Sequence, residues 1–258
     1  MKIICLAENT SVNENIGYEH GLSLYIEVNN LKILFDMGQS DLFIHNAKKL
    51  GVDLSQVDIA VLSHGHYDHG GGLKAFMDIN SKAPVYISQY AFEPHYNGTE
   101  KYIGLDVCLK DSKRFHVNDD FLEIANGLSL FHLNKSTLKH PINSGGLNML
   151  QNGELLAEDF RHEQYLLIEE KGKKILISGC SHKGVLNIME RFSPDIFIGG
   201  FHFSKFPLDE KLKDYAQYLD SFNTTYYTCH CTGVEQFEFM EKYMSKASYL
   251  SSGQIIEL

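Results

Sequence analysis

Two stretches of this 258-residue chain align on each other without a gap. Leu24 to Gly38 reads L-Y-I-E-V-N-N-L-K-I-L-F-D-M-G, and Leu166 to Cys180 reads L-L-I-E-E-K-G-K-K-I-L-I-S-G-C. Each is a β-hairpin pattern, with Ile-Glu before the turn and Lys-Ile-Leu after it, and the first turn pair, Asn29-Asn30, tolerates positive φ. A helix is expected after each hairpin: 41–50 in the first half, with Ser40 as N-cap and Gly51 just past its end, and 184–192 in the second. A strand opening on Asp then follows in both, Asp58-Ile59-Ala60-Val61 and Asp195-Ile196-Phe197-Ile198. A repeat of this size predicts two pseudo-symmetric halves whose strand ends emerge at one edge of packed sheets. With strands also expected at 2–7, 85–88, 225–228 and near 254–257, the fold class is α/β, a four-layer αββα sandwich.

At 43% hydrophobic the chain can bury a full core unaided, and residues 1–258 are expected to form a single domain. Regularity weakens over 89–160, where aromatic and polar residues mix with glycines. That stretch is either a substrate-pocket or lid insertion or a set of strands and loops with ordinary core aromatics. A formal net charge of −10 argues against a nucleic-acid partner, which needs clustered Lys and Arg. No apolar run approaches membrane-spanning length, and the N-terminal run is too short for a signal peptide. The five cysteines lack a disulfide framework, which suits a reducing compartment, so a cytoplasmic protein acting on a small-molecule substrate is expected. Oligomeric state is left open.

The chemistry concentrates where the first half ends. Val57 to Leu73 reads V-D-I-A-V-L-S-H-G-H-Y-D-H-G-G-G-L: a buried strand, then four metal-ligand residues within six positions, His64, His66, Asp68 and His69. His64 and His66 are two apart and project to one side of extended backbone. Asp68 and His69 sit where the chain turns through Gly70–Gly72 towards a helix. One cation is accommodated by the first pair and a second by the other. A satisfied polar histidine is the ordinary explanation for one such residue, not for four at this spacing.

H-x-H-x-D-H resembles the signature of the metallo-β-lactamase superfamily. With G-C-S-H-K-G at 179–184, G-G-F-H-F at 199–203 and C-H-C-T-G at 229–233, the chain is similar to a narrower branch. That branch holds superfamily II metal-dependent hydrolases and the dihydropterin-condensing synthase of methanopterin biosynthesis. The resemblance implies that one metal is held by His64, His66 and a later His, and the other by Asp68, His69 and a His near the C-terminus. His230 in C-H-C-T-G matches the last of these. For the third His the choice lies between His182 and the neighbouring Cys180, with His182 favoured because imidazole serves either metal and a thiolate makes the site softer. His162 and Asp159 are rivals, and His162 is taken as incidental.

Two divalent transition-metal ions are therefore expected, zinc first and manganese or iron as alternatives. Such ions lower the pKa of bound water and yield hydroxide at neutral pH. Asp68 is expected to orient that nucleophile or take its proton as well as bind metal, and His202 to act on the leaving group. His202 is placed by the repeat, since residues after Asp195–Ile198 correspond to those after Asp58–Val61; alternation in an extended segment would point it away from Phe201 and Phe203. The expected activity is hydrolysis of a small ester, lactone, thioester or phosphoester. A transferase like the dihydropterin synthase is the alternative, and a di-iron redox or non-catalytic ligand-binding protein is the third possibility.

Overall fold

The computed structural model describes residues 1–258. The first half runs β1 (Lys2–Ala7), β2 (Ser23–Val28), β3 (Leu31–Phe35), α1 (Leu42–Lys49), β4 (Ile59–Val61), α2 (Tyr67–Gly70), α3 (Leu73–Ile79) and β5 (Val85–Ser88). The middle contributes β6 (His95–Asn97), β7 (Lys101–Tyr102), β8 (Phe115–Asn118), β9 (Phe121–Ala125), β10 (Leu128–Phe131), β11 (Leu147–Gln151) and β12 (Glu154–Ala157). The second half runs β13 (Tyr165–Glu170), β14 (Lys173–Ile177), α4 (Val185–Phe192), β15 (Ile196–Gly199), α5 (Glu210–Asp220), β16 (Thr225–Thr228), α6 (Val234–Met240), β17 (Ala247–Tyr249) and β18 (Ile255–Glu257).

Two seven-stranded sheets result, ordered β18-β1-β2-β3-β4-β5-β8 and β17-β16-β15-β14-β13-β10-β9. Their strands are apolar on both faces because each sheet is covered on both. Alternation decides which residue goes where. Ile33 and Phe35 of β3 and Ile175 and Ile177 of β14 meet between the sheets. Leu34 faces outward onto Phe43 and Ala47 of α1 and Leu73 and Phe76 of α3, while Leu176 and Phe197 face α4 and α5 through Ile188, Met189, Leu212 and Ala216. Burial on this scale is worth about 1.5–3 kcal/mol for each such side chain, so both sheets are fixed from both sides and the αββα sandwich follows.

The pseudo-symmetry extends to single hydrogen bonds. The hairpin turns are left-handed at Asn29 and Asn30 in one half and at Lys171 and Gly172 in the other. In both halves the strand then pairs in parallel with the next, Ile33 opposite Ile59 and Ile175 opposite Ile196. The Asp that opens that next strand accepts the backbone N–H of the hairpin lysine: Asp58 from Lys32 at 3.0 Å, Asp195 from Lys174 at 2.8 Å. The parallel strands β3, β4, β14, β15 and β16 all deliver their C-terminal ends to one edge.

Two local expectations need amending. Helix α1 begins at Leu42, with Asp41 in the cap position and making no side-chain cap bond; Ser40 instead accepts the Leu42 N–H at 3.1 Å while its own hydroxyl is drawn to Glu19. Residues 89–160 divide their strands among separate sheets. Strands β8, β9 and β10 extend the two main sheets, whereas β12-β11-β6-β7 form a separate four-stranded sheet. No helix is long and apolar enough to cross a membrane.

Candidate metal centre

The edge where the parallel strands end carries Asp36 after β3, Ser63 and His64 after β4, Cys180 after β14, and His230 after β16. Gly65 allows the turn between His64 and His66, because an added Cβ there would collide with the backbone carbonyl of Ala91. The single-turn helix α2 then presents Asp68 and His69, both buried. His182 follows the short turn after Cys180, its ring 4.9 Å from that of His64 and 5.0 Å from that of His66. All six residues expected to hold metal, His64, His66, Asp68, His69, His182 and His230, are gathered here, with Cys180 among them.

Hydrogen bonding at one nitrogen of an imidazole decides which nitrogen keeps its lone pair. The Ser63 hydroxyl donates to Asp36 Oδ2 at 2.7 Å and so accepts from His64 Nδ1, 2.8 Å away. His64 Nε2 is left buried and unpartnered. His69 Nδ1 donates to the same Asp36 oxygen at 2.7 Å, and its Nε2 faces His230 Nε2 and Cys180 Sγ, each at 3.2 Å. His230 Nδ1 donates at 2.8 Å to Asn9 Oδ1, an oxygen identified by the Gly21 N–H it also accepts. His66 Nε2 faces the two oxygens of Glu158 at 3.2 and 3.3 Å, which leaves Nδ1 as its lone pair. Neither nitrogen of His182 has a partner in the protein.

Lone pairs converging in this way repel unless something positive lies among them. Asp68 Oδ2 adds its charge, 3.3 Å from His230 Nε2 and 3.9 Å from His69 Nε2. The donor atoms fall into overlapping groups, each within 4.8 Å: His64, His66 and His182; His64, His69 and Cys180; Cys180, His182 and His202; and Cys180, His230 and Cys231. Imidazoles, a carboxylate and a thiol in this arrangement suit zinc and its first-row neighbours.

The titration behaviour carries the same demand for positive charge. Burial, reinforced by neighbouring imidazoles, holds His64 and His182 well below the ordinary imidazole range, so both are neutral and free to donate a lone pair. Burial also works against charge on His230, yet its hydrogen bond to Asp68 and nearby negative groups push it up to about 9. Burial opposes ionisation of Asp68 too, but His69, His20 and His230 hold it well below the usual carboxylate range. Without a cation, a proton on His230 takes the place of one.

His202 lies at the rim with its ring 4.3 Å from that of His182. It reaches that place through a left-handed residue, φ 61°, rather than through extended alternation, although Phe201 and Phe203 are buried as that alternation requires. Gly200 permits the approach, since a Cβ there would strike Cys231 Sγ. Asp159 is exposed; its carboxylate accepts the Arg161 N–H at 3.0 Å and its backbone carbonyl the Lys183 Nζ at 2.7 Å.

His162 braces the loop that carries His64 and His66. It is fully buried, its Nδ1 accepts the Gly65 N–H at 2.7 Å, and its Nε2 lies 2.5 Å from Glu158 Oε1. Glu158, His95, Asp36, Asn9 and His20 are further residues of the site that sequence reasoning did not pick out. His20 Nε2 is 3.2 Å from Asp68 Oδ2.

The centre opens into a cavity of about 500 Å³. Phe201, Phe203, Phe206, Ile142 and Leu147 give it an apolar wall, and Lys101 and Lys205 stand in its lining. Asn97, Lys101 and Leu147 come from the four-stranded sheet.

The family model that describes the metallo-β-lactamase superfamily matches residues 16–222. An uncharacterized protein of Methanocaldococcus jannaschii is 30% identical over 244 residues, covering 89% of this chain and 90% of its own length. A second protein of that organism, named 7,8-dihydropterin-6-methyl-4-(β-D-ribofuranosyl)-aminobenzene-5'-phosphate synthase, is 28% identical, covering 100% of this chain and 96% of its own. Among solved structures, Tm1679, described as a metal-dependent hydrolase of the β-lactamase superfamily, superposes with a TM-score of 0.84 at 29% identity, covering 100% of this chain and 99% of that one.

Proposed function

The chain belongs to the metallo-β-lactamase superfamily, and from that premise we propose that it is a two-metal hydrolase of a small ester, lactone, thioester or phosphoester. The observation that carries the proposal is the convergence of imidazole nitrogens: outer partners set the tautomers of His64, His69 and His230, and His64 Nε2 and both nitrogens of His182 have no partner in the protein. His64, His66 and His182 would hold one divalent cation and Asp68, His69 and His230 the other, with Cys180 lying between the two groups. Zinc is the first choice for this donor set, manganese or iron the alternatives. When bound, such cations supply Lewis acidity towards a carbonyl or phosphoryl oxygen and activate water at neutral pH.

The chain's own groups complete the chemistry. Asp68, anchored by His20 and His230, orients the attacking water and takes its proton. His202, half-buried at the rim with an unpartnered Nδ1, donates to the leaving group. The aromatic wall seats a flat or apolar body, and Lys101 and Lys205 favour a substrate with an anionic substituent.

The likeness to the Methanocaldococcus synthase along the whole chain supports a second reading, a transferase in which the same centre stabilises an anionic leaving group while an amine attacks. The two are separated by metal analysis of protein purified without chelator or added metal, followed by product analysis on that preparation. Hydrolysis of simple esters, lactones, thioesters or phosphoesters supports the first. Turnover of a pterin pyrophosphate only when an aromatic amine is present supports the second. Protein that takes up no divalent metal refutes both, and redox-active iron without turnover favours an electron-transfer role.

A further inference from the structure

The segment from Glu158 to Gln164, E-D-F-R-H-E-Q, touches the metal-bearing loops at nearly every residue. Gln164 donates through its side chain to the Leu62 carbonyl at 2.7 Å and through its backbone N–H to the Ser63 carbonyl at 2.8 Å. Glu163 accepts the backbone N–H groups of His182 at 2.6 Å and Lys183 at 2.9 Å. Phe160 stacks on His182, ring centroids 4.3 Å apart and planes within 10°. Glu158 stands at the centre of a buried group with His66, His95 and His162.

Four buried ligand-type residues suggest an accessory metal site at first sight, and the hydrogen bonding argues against it. His162 Nδ1 accepts a backbone N–H from Gly65, so as a neutral imidazole it carries its proton on Nε2. That nitrogen lies 2.5 Å from Glu158 Oε1, and carrying the proton it offers no lone pair to a metal. His95 Nδ1 is 2.8 Å from the same oxygen, and His66 Nε2 approaches both oxygens. With three imidazoles around it and no cationic side chain beside it, the carboxylate accepts from His66 Nε2.

Resting on the metal-binding reading above, we propose that Glu158 is a positioning residue. It holds His66 as the Nε2–H tautomer, so that Nδ1 is the atom offered to the metal, while the rings of His95 and His162 pack around the same carboxylate. Carboxylates that orient metal-bound histidines in this way typically contribute about 10–100-fold in metal affinity.

The test uses the full chain with zinc as the probe. Long-range proton–nitrogen spectra of the zinc-loaded native protein should show His66 protonated at Nε2 and ligated through Nδ1, a measurement that needs no variant. Glu158→Gln replaces one of the two carboxylate oxygens facing His66 Nε2 with an amide N–H₂. It should weaken binding of one of two zinc ions by about 10–100-fold and change the His66 nitrogen pattern, leaving the other zinc and the His69 pattern unaltered. A native protein that binds zinc with His66 protonated at Nδ1 overturns the proposal. So does Glu158→Gln protein with native affinity for both ions, whatever its melting temperature. A third equivalent of zinc that disappears in His95→Ala overturns it in favour of an accessory metal site. Native protein that binds no zinc overturns the metal-binding reading and this proposal together.

Discussion

Asp36→Asn tests whether the second orienting carboxylate works as its geometry requires. Asp36 is fully buried and accepts three hydrogen bonds: the Ser63 N–H at 2.6 Å on Oδ1, and the Ser63 hydroxyl and His69 Nδ1–H, each at 2.7 Å, on Oδ2. An amide has one acceptor oxygen, so one side of this arrangement must fail. If the N–H₂ faces the Ser63 N–H, two donors meet and a charge-assisted bond is lost. If it faces His69, the imidazole must move its proton to Nε2, where it points at His230 and Cys180 and blocks the metal. Losing one bond to a charged acceptor and leaving a buried donor unpaired costs about 3 kcal/mol. For a chain of this size that lowers the melting temperature by about 6–12 °C. Metal affinity should fall by about 10–100-fold for the cation on the His69 side, and the Ser63 hydroxyl passes a smaller disturbance to His64. Denaturant unfolding of chelator-treated protein measures the first quantity, and zinc competition against a chromophoric chelator the second. A variant that loses stability while binding both ions with native affinity would show that Asp36 merely fills a structural role.

Substituting Ser at Cys180 should preserve two metal equivalents per chain, whereas Ala at His182 should remove one; the reverse pattern in metal analysis transfers the ligand role to the thiolate. His202→Ala should retain metal and fold while lowering kcat by about 10²–10⁴ on whichever substrate is identified, and full activity would show that His202 does not act on the leaving group. Cation binding displaces the proton held by His230, whose pKa stands at about 9. Zinc affinity should therefore fall as the pH drops below that value, and calorimetry at neutral pH in buffers of different ionisation enthalpy should register proton release; heats independent of buffer would contradict it.

The fold was legible because its evidence is local and repeated. Apolar residues on both faces of β3 and β14, the left-handed turn pairs and the opening Asp of β4 and β15 each occur twice, and each has a direct physical reading. The motif around His64 was legible for the same reason, as its four polar residues are adjacent in sequence. Glu158 was not, since its partner His66 is 92 residues away and the segment around it has no periodicity. Asp36 had a signal that went unused. The repeat sets Asp36 opposite Ser178, Gly38 opposite Cys180 and Ser40 opposite His182. Where a scaffold is otherwise duplicated, positions at which the halves differ at a strand end are where one half has taken on chemistry.

Charge balance also bears on Cys180, which lies within reach of both groups of ligands. Five carboxylates are buried at or beside the centre, among them Glu163, which accepts the His182 N–H at 2.6 Å. Asp68 faces the cations directly, Asp36 and Glu158 sit behind His69 and His66, and Glu8 accepts the His230 N–H at 2.6 Å and the Tyr249 hydroxyl at 2.8 Å. Each of Asp36, Glu8 and Glu158 faces donors only, as an ionised carboxylate does. Two divalent cations carry no surplus positive charge over these carboxylates, and a buried site with residual net charge is costly. A thiolate at Cys180 would add a further negative charge. Burial pushes that thiol well above its ordinary range, which favours the protonated form, a weak ligand beside five imidazoles. This is the physical reason for expecting Ser to replace it without loss of metal while His182, with two unpartnered nitrogens and a ring fixed by Phe160, has no substitute.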